Sequence, residues 1–130
     1  MSECCGTAGV TRRVVIPSQL VLNHEKDETW MLGAGLTLQP GAPLGLPTGG
    51  TELIESLPGA ADGSQIPVGF TLCAVDTTAG AVECVVLTEG ELNYNELNLD
   101  AAWTKDLLKE RLAQNRGLYV TEPVWAGATP

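Results

Sequence analysis

Few side chains in this sequence stand where catalysis would need them. His24 is the only histidine, and the charged residues around it are typical of a solvated surface position. No HExxH, GxSxG or recognisable Cys–His pattern of a hydrolase occurs. Glu89 and Glu91 could form the acid pair of a glycosidase, but two glutamates flanking a glycine are more typical of a strand end that faces water. We therefore predict a protein that is not an enzyme and has no cofactor.

The four cysteines stand in two different settings. Cys4 and Cys5 are adjacent near the N-terminus, and no other Cys or His lies at the spacing of a zinc site. Cys73 and Cys84 can face each other across a hairpin, where a disulfide is geometrically conceivable. The N-terminus lacks the charged and apolar regions of a signal peptide, so we expect synthesis in a cytoplasm. Reduced thiols that fill core space are then the expected state of Cys73 and Cys84.

Composition and charge narrow the class of protein. A chain of 130 residues predicts one domain, and its 15 glycines and 8 prolines favour strands and turns over a helical bundle. The formal net charge of −9 argues against nucleic acid and anionic membranes as partners. No window is apolar enough to span a membrane, and no glycine pattern of a nucleotide-binding loop occurs.

A β-hairpin at the centre of the chain organises the predicted body. Residues 70–75 and 81–88 are rich in Val, Leu, Thr and Cys, and residues 76–80 (DTTAG) between them are typical of a turn. In the register that places Cys73 opposite Cys84, both faces of the hairpin are mostly apolar. We therefore expect both faces to be covered by other elements.

One helix is predicted, over residues 101–116, with Asp100 as its N-cap and Gly117 as the glycine that ends it. Its apolar side chains lie on one stripe and its flank: Ala101, Leu108, Leu112, Trp103 and Leu107. Residues 48–65 predict a long surface loop, and residues 118–120 predict an extended segment. The body, residues 29–130, is thus expected to be β-rich with a hairpin and one main helix.

Residues 1–28 predict an arm that has no core of its own. Residues 10–16 combine strand-forming Val and Ile with two of the chain's seven basic residues, and residues 24–28 predict a charged turn. Such a segment suits docking onto an acidic partner or a sheet edge, but it equally suits an ordinary first strand of the domain's own sheet. The candidate partner-binding residues are Arg12, Arg13, Val14, Val15 and Ile16.

Four glycine-punctuated stretches follow one another between Leu32 and Val120. They are residues 35–45 (GLTLQPGAPLG), residues 67–70 with 75–80 (PVGF, VDTTAG), residues 87–93 (LTEGELN) and residues 116–120 (RGLYV). Each stretch is common alone. Their order and spacing together resemble those of the lambda-type head decoration proteins of tailed phages, small proteins on the outside of the capsid.

The resemblance implies an α/β fold of the α+β type and a homotrimer seated at three-fold or quasi-three-fold positions of the capsid. It implies that the partner is the major capsid protein of a phage head and that binding stabilises the expanded shell against the pressure of packaged DNA. It also implies an arm that is flexible in the free protein and orders as a strand on the capsid. The expected location is the virion exterior, after synthesis in the host cytoplasm.

Two alternatives stay open at this point. Trp30 and Trp125 near the ends of predicted elements are consistent with a small β-rich ligand-binding domain, for example one directed at carbohydrate. A hydrolase built on acidic residues would require that mutation of Glu89 or Glu91 abolish a measured activity.

Overall fold

The computed structural model describes residues 20–114 and 117–122. Within these residues the elements are β1 (Val21–Leu32), β2 (Thr37–Leu38), β3 (Pro43–Gly45), β4 (Ile54–Glu55), β5 (Pro67–Thr71), β6 (Val75–Asp76), β7 (Val82–Asn93), a 3₁₀ turn (Tyr94–Glu96), α1 (Lys105–Leu112) and β8 (Leu118–Thr121). The body is β-rich with one main helix, so the predicted α+β class is confirmed.

Strand β7 is the centre of the main sheet. The strand order is β1-β7-β5-β3-β4, and β8 also pairs with β7. β1 runs antiparallel along one edge of β7, whereas β5 (antiparallel) and β8 (parallel) share its other edge. β2 and β6 form a separate antiparallel pair. The Val, Leu and Thr residues of β7 suit a strand that is paired on both edges.

The predicted hairpin has the predicted register but shorter strands. Phe70 lies opposite Leu87, as the pairing of Cys73 with Cys84 requires. Strand β5 ends at Thr71, however, and the chain then leaves β7 so that β6 pairs with β2. The predicted hairpin is therefore not one continuous ladder. β5 pairs with β7 in the main sheet, and β6 pairs with β2 in the small sheet.

Thr77 explains why the chain leaves β7 at this point. Its buried hydroxyl donates a hydrogen bond to the carbonyl oxygen of Gly33 at 2.6 Å and accepts one from the N–H of Leu36 at 2.8 Å. The turn that follows matches the prediction, because Asp76 accepts a backbone N–H within it at 3.0 Å and Gly80 has a positive φ of 145°. A contact between distant segments thus sets the end of the hairpin.

Both faces of the main sheet are covered, as the two apolar faces of the hairpin predict. The first core lies between the sheet and helix α1 and consists of Leu20, Phe70, Leu72, Leu87, Leu92, Trp103, Leu108, Leu112, Leu118 and Val120. The second core lies on the opposite face and consists of Leu32, Leu38, Ala42, Leu44, Leu53, Val75, Cys84 and Val86. Alternate side chains of β7 enter opposite cores, since successive residues of a strand point to opposite faces.

Strand β1 corrects the prediction of a charged turn at residues 24–28. These residues lie inside β1 and pair antiparallel with β7. The turn prediction is wrong because the backbone of the segment finds a partner in β7 while its charged side chains stay largely exposed. Register irregularities in the first part of β1 let it follow the neighbouring strand. The sheet therefore includes residues 21–28, which the sequence prediction assigned to the arm.

Helix α1 is shorter than the predicted span of residues 101–116. It begins after Thr104, whose hydroxyl accepts a backbone N–H of the first turn at 3.2 Å. Asp100, the predicted N-cap, instead closes a turn ahead of the helix, and Ala101 is exposed rather than on the apolar stripe. The backbone is still extended at Thr104 because Trp103 is buried in the first core there. The buried helical residues are Leu108 and Leu112, as predicted.

The remaining segments follow their predictions more closely. Residues 48–65 are largely irregular, apart from β4, and Leu53 within them is fully buried in the second core. The extended segment predicted at residues 118–120 is strand β8. β4 thus forms one edge of the main sheet, whereas β8 pairs with its central strand β7.

Candidate functional site

The five candidate partner-binding residues, Arg12, Arg13, Val14, Val15 and Ile16, lie outside the described residues. The described chain begins at Leu20. The structure therefore shows the root of the predicted arm and the surfaces of the body beside it.

The root of the arm is fixed in the first core. Leu20 is fully buried, and its carbonyl oxygen accepts a hydrogen bond of 2.9 Å from the N–H of Asn93 at the end of β7. Asn93 is itself buried, and its side-chain oxygen accepts the N–H of Asn95 at 3.0 Å. A force on the residues before Leu20 would thus be carried directly into the central strand.

Strand β1 leads from this root and is an edge strand of the described sheet. Lys26 and Glu28 form an ion pair of 3.0 Å, and His24 and Asp27 lie 2.8 Å apart. The hydrogen bond to Glu28 raises the pKa of Lys26, and the same bond lowers the pKa of Glu28. Exposed charges of this kind discourage unspecific pairing at a sheet edge. The edge of β1 is therefore an unfavourable site for a simple apolar partner.

Trp30 lies over a small open hollow on the second face of the sheet. The hollow has a volume of about 250 Å³ and is lined by Glu28, Trp30, Val68, Thr88 and Glu89. The indole N–H of Trp30 donates to Glu28 at 3.1 Å, and the ring packs against the second core. The ring is thus partly used by the fold, which weakens its interpretation as a carbohydrate-stacking surface. Trp125 lies outside the described residues.

A larger open groove separates the C-terminal half of α1 from β8. It has a volume of about 550 Å³ and is lined by Lys109, Leu112, Ala113, Leu118, Tyr119 and Val120. Tyr119 is 56% exposed, whereas the leucines beneath it belong to the first core. Lys105 and Glu122 form an ion pair between the first turn of α1 and the end of β8, and this contact raises the pKa of Lys105. The groove is an apolar patch on an acidic protein.

The two glutamates weighed as a catalytic pair have separate surroundings. Glu91 accepts a hydrogen bond from the hydroxyl of Thr121 on β8, whereas Glu89 lines the hollow beside Trp30. Over residues 20–114 and 117–122, no group of three His, Cys, Asp or Glu residues could hold a metal ion. No helix in the described residues is long and apolar enough to cross a membrane.

For the state that the structure describes, the expectation of reduced thiols at Cys73 and Cys84 is wrong. Both residues are disulfide-bonded, and both are almost fully buried, at 4% and 2% exposure. The prediction weighted the redox compartment above the hairpin register, which brings the two residues opposite each other. The register was the better guide because it fixes the distance between the side chains.

Sequence reasoning missed two features of these surfaces. Leu20 lies within residues 1–28, which were predicted to form an arm without a core, although it is the residue that anchors the arm in the core. The groove beside α1 was not predicted either. Its signal was the alternation Leu118-Tyr119-Val120, in which the two aliphatic residues point inwards and the tyrosine points out.

The model of the family described as bacteriophage lambda head decoration protein D matches residues 17–118. The match covers most of the chain and includes the root of the arm, but it begins after Ile16. No curated protein matches the sequence.

Proposed function

The chain belongs to the bacteriophage lambda head decoration protein family, and from this we propose that it binds the outside of the expanded phage head as a homotrimer. Members of this family are structural proteins associated with phage heads, which agrees with the separate surroundings of Glu89 and Glu91. In this role the protein stabilises the shell against the pressure of packaged DNA. The family match over residues 17–118 is the observation that carries the proposal.

The arm is the proposed attachment element. The candidate residues 12–16 end four positions before Leu20, so an extended arm places them within about 13–27 Å of the anchored root. The major capsid protein is the proposed partner, and the arm adds to it as a strand. Because Leu20 is buried and bonded to Asn93, binding by the arm would hold the whole sheet on the capsid surface.

Trimer formation explains how short arms could give tight attachment. Three arms on one trimer bind in concert, since the first contact raises the effective concentration of the other two. A protein that binds only the expanded shell also stabilises that shell by mass action. Modest affinity for each arm is therefore sufficient for the proposed function.

The arm is tested by removing its charge without changing the body. The double variant Arg12→Gln, Arg13→Gln should form trimers as the parent does, yet bind expanded heads at least about tenfold more weakly, because three arms are weakened together. Cosedimentation with expanded heads of the phage that encodes the protein measures this. The matched control, Lys26→Gln with Lys109→Gln, removes two positive charges from exposed positions of the body.

The control should bind like the parent. Equal loss in both double variants would show that net charge, and not the arm, governs attachment. Unchanged binding in the arm variant would overturn the role given to Arg12 and Arg13.

A further inference from the structure

Cys73 and Cys84 lie in two different parts of the fold. Cys73 lies in the short link between β5 and β6, where the chain passes from the main sheet to the small β2–β6 sheet. Cys84 lies on β7, at the centre of the main sheet, and its side chain belongs to the second core. The register of β5 on β7 pairs Thr71 with Val86, and the same register continued by two positions places Cys73 opposite Cys84.

The small sheet has only a short ladder of its own. It consists of two residue pairs, Thr37 with Asp76 and Leu38 with Val75. Beyond these pairs, Leu38 and Val75 pack in the second core, and Thr77 binds the segment around Gly33 and Leu36 through its backbone and hydroxyl. A covalent link at Cys73, two residues before β6, would therefore limit its movement away from β7.

We propose that Cys73 and Cys84 are bonded to each other and form an oxidation-dependent staple that locks the β2–β6 sheet onto the central strand. The staple is open while the protein is in a reducing cytoplasm and closes once the protein is outside it. The change of compartment rests on the proposed function as a virion protein, whereas the bond and its mechanical effect do not.

Closure is a two-step thiol–disulfide exchange with a small-molecule disulfide as the oxidant. One cysteine thiolate attacks the small disulfide, which forms a mixed disulfide and releases one small thiol. The second cysteine loses its proton and attacks the mixed disulfide, which forms the protein disulfide and releases the second small thiol. Two protein thiols are thus oxidised while one small disulfide is reduced to two thiols.

Burial gives the closed staple a long lifetime. Cys73 and Cys84 are almost inaccessible in the folded protein, so a reductant must wait for local opening of the small sheet. The closed loop spans residues 73–84 and includes the turn at Asp76 and Gly80. Linking its ends restricts the unfolded chain, which should raise the melting temperature by about 5–15 °C relative to the reduced protein.

The connectivity is tested by digesting the unreduced protein with a glutamate-specific protease. Cleavage after Glu55, Glu83 and Glu89 separates residues 56–83, which contain Cys73, from residues 84–89, which contain Cys84. Mass spectrometry should find these two peptides joined, and reduction should separate them. A bond from either residue to Cys4 or Cys5 would overturn the proposed pairing.

The mechanical effect is tested by thermal unfolding and hydrogen exchange of the isolated protein with and without dithiothreitol. Reduction should lower the melting temperature and should speed exchange of the Gly35 and Thr77 amides by at least about tenfold, while the Leu108 amide in α1 changes little. The variant Cys73→Ala, Cys84→Ala should not respond to reductant. The matched control Cys4→Ser, Cys5→Ser should respond like the parent.

An unchanged melting temperature and unchanged exchange on reduction would overturn the staple. The timing is tested by lysing producing cells in a denaturant that contains an alkylating reagent, which exposes the buried thiols, and comparing the protein with protein from purified particles treated in the same way. Cys73 and Cys84 should be alkylated in the first sample and bonded in the second; bonded cysteines in both samples would overturn the dependence on oxidation. Only the timing measurement depends on head binding, because it uses purified particles. The pairing and stability measurements use the isolated protein, so a failed head-binding assay would leave their results standing.

Discussion

The indole N–H of Trp103 donates a hydrogen bond of 2.9 Å to the main-chain carbonyl oxygen of Ser56, 47 positions earlier in the chain. Both residues are buried. The bond ties the irregular segment 48–65 to the turn that precedes α1, and it holds Trp103 in the first core. The start of the helix and the path of a long loop are therefore determined together.

Replacement of Trp103 by Phe should destabilise the protein by about 1–3 kcal/mol, because the buried carbonyl of Ser56 loses its partner. Chemical denaturation of the two proteins measures the difference in the free energy of unfolding. Trp30→Phe is the matched control, since its indole N–H binds Glu28, whose carboxylate also pairs with Lys26 and is 38% exposed. A larger loss in the Trp30 variant would contradict this account.

The hydroxyl of Ser56 is buried without a hydrogen-bond partner among the described residues. Ser56→Ala removes the cost of burying that hydroxyl and should stabilise the protein by about 1 kcal/mol. Ser64→Ala makes the opposite change, because the buried Ser64 hydroxyl donates to Asp62 at 2.6 Å. Thermal unfolding should give Ser56→Ala a higher melting temperature than the parent and Ser64→Ala a lower one. Destabilisation by both would show that the Ser56 hydroxyl has a partner.

Gly45 lies where a side chain has no room. A Cβ atom at this position would collide with the backbone carbonyl oxygen of Ser64. Gly45→Ala should therefore destabilise the fold by about 2–3 kcal/mol, since β3 or the 48–65 segment must shift. At Gly59 nothing lies within 4 Å of the same atom, so Gly59→Ala should change stability by less than about 0.5 kcal/mol. Equal effects in urea denaturation would contradict the close approach at Gly45.

Glu55 on β4 should make stability fall as pH rises. Burial raises the pKa of Glu55, and the nearby negative charge of Asp100 adds to the rise. The folded protein then holds this proton more tightly than the unfolded chain does. The free energy of unfolding therefore decreases as pH rises from the ordinary value of 4.5 through the raised pKa.

Glu55→Gln should remove this decrease and give a higher melting temperature than the parent at neutral pH. Melting temperatures recorded between about pH 4 and about pH 7 test the effect. The control is Glu52→Gln, which changes an exposed carboxylate three residues away and should keep the parent's pH dependence. The same pH profile for parent and Glu55 variant would contradict a burial effect at this position.

Features that depend on neighbouring residues, such as the turn at residues 76–80 and the spacing of the buried helical side chains, were predicted correctly from the sequence. The DTTAG turn set the hairpin register, and the register held because alternate residues of β7 must enter two different cores. The spacing of Leu108 and Leu112 likewise predicted that these two helical residues are buried. The class of fold follows from these features.

Long-range contacts account for the errors. The charged segment 24–28 is a strand because its backbone pairs with β7. Asp100 does not cap the helix because Trp103 is buried in the first core before the helix begins. The pairing of β2 with β6 joins residues far apart in the chain and depends on the hydroxyl of Thr77. No window of neighbouring residues contains that information. The arm remains a prediction, since its residues 10–16 lie outside the described residues.

Cosedimentation of the 130-residue protein with undecorated phage heads tests the proposed binding to heads. Light scattering of the free protein should first give a mass of about 41 kDa, three times the 13.6 kDa of one chain. The protein should then pellet with expanded heads of the phage that encodes it and stay in solution with unexpanded precursor shells. A trimer that pellets with neither, or a monomer, would contradict the account.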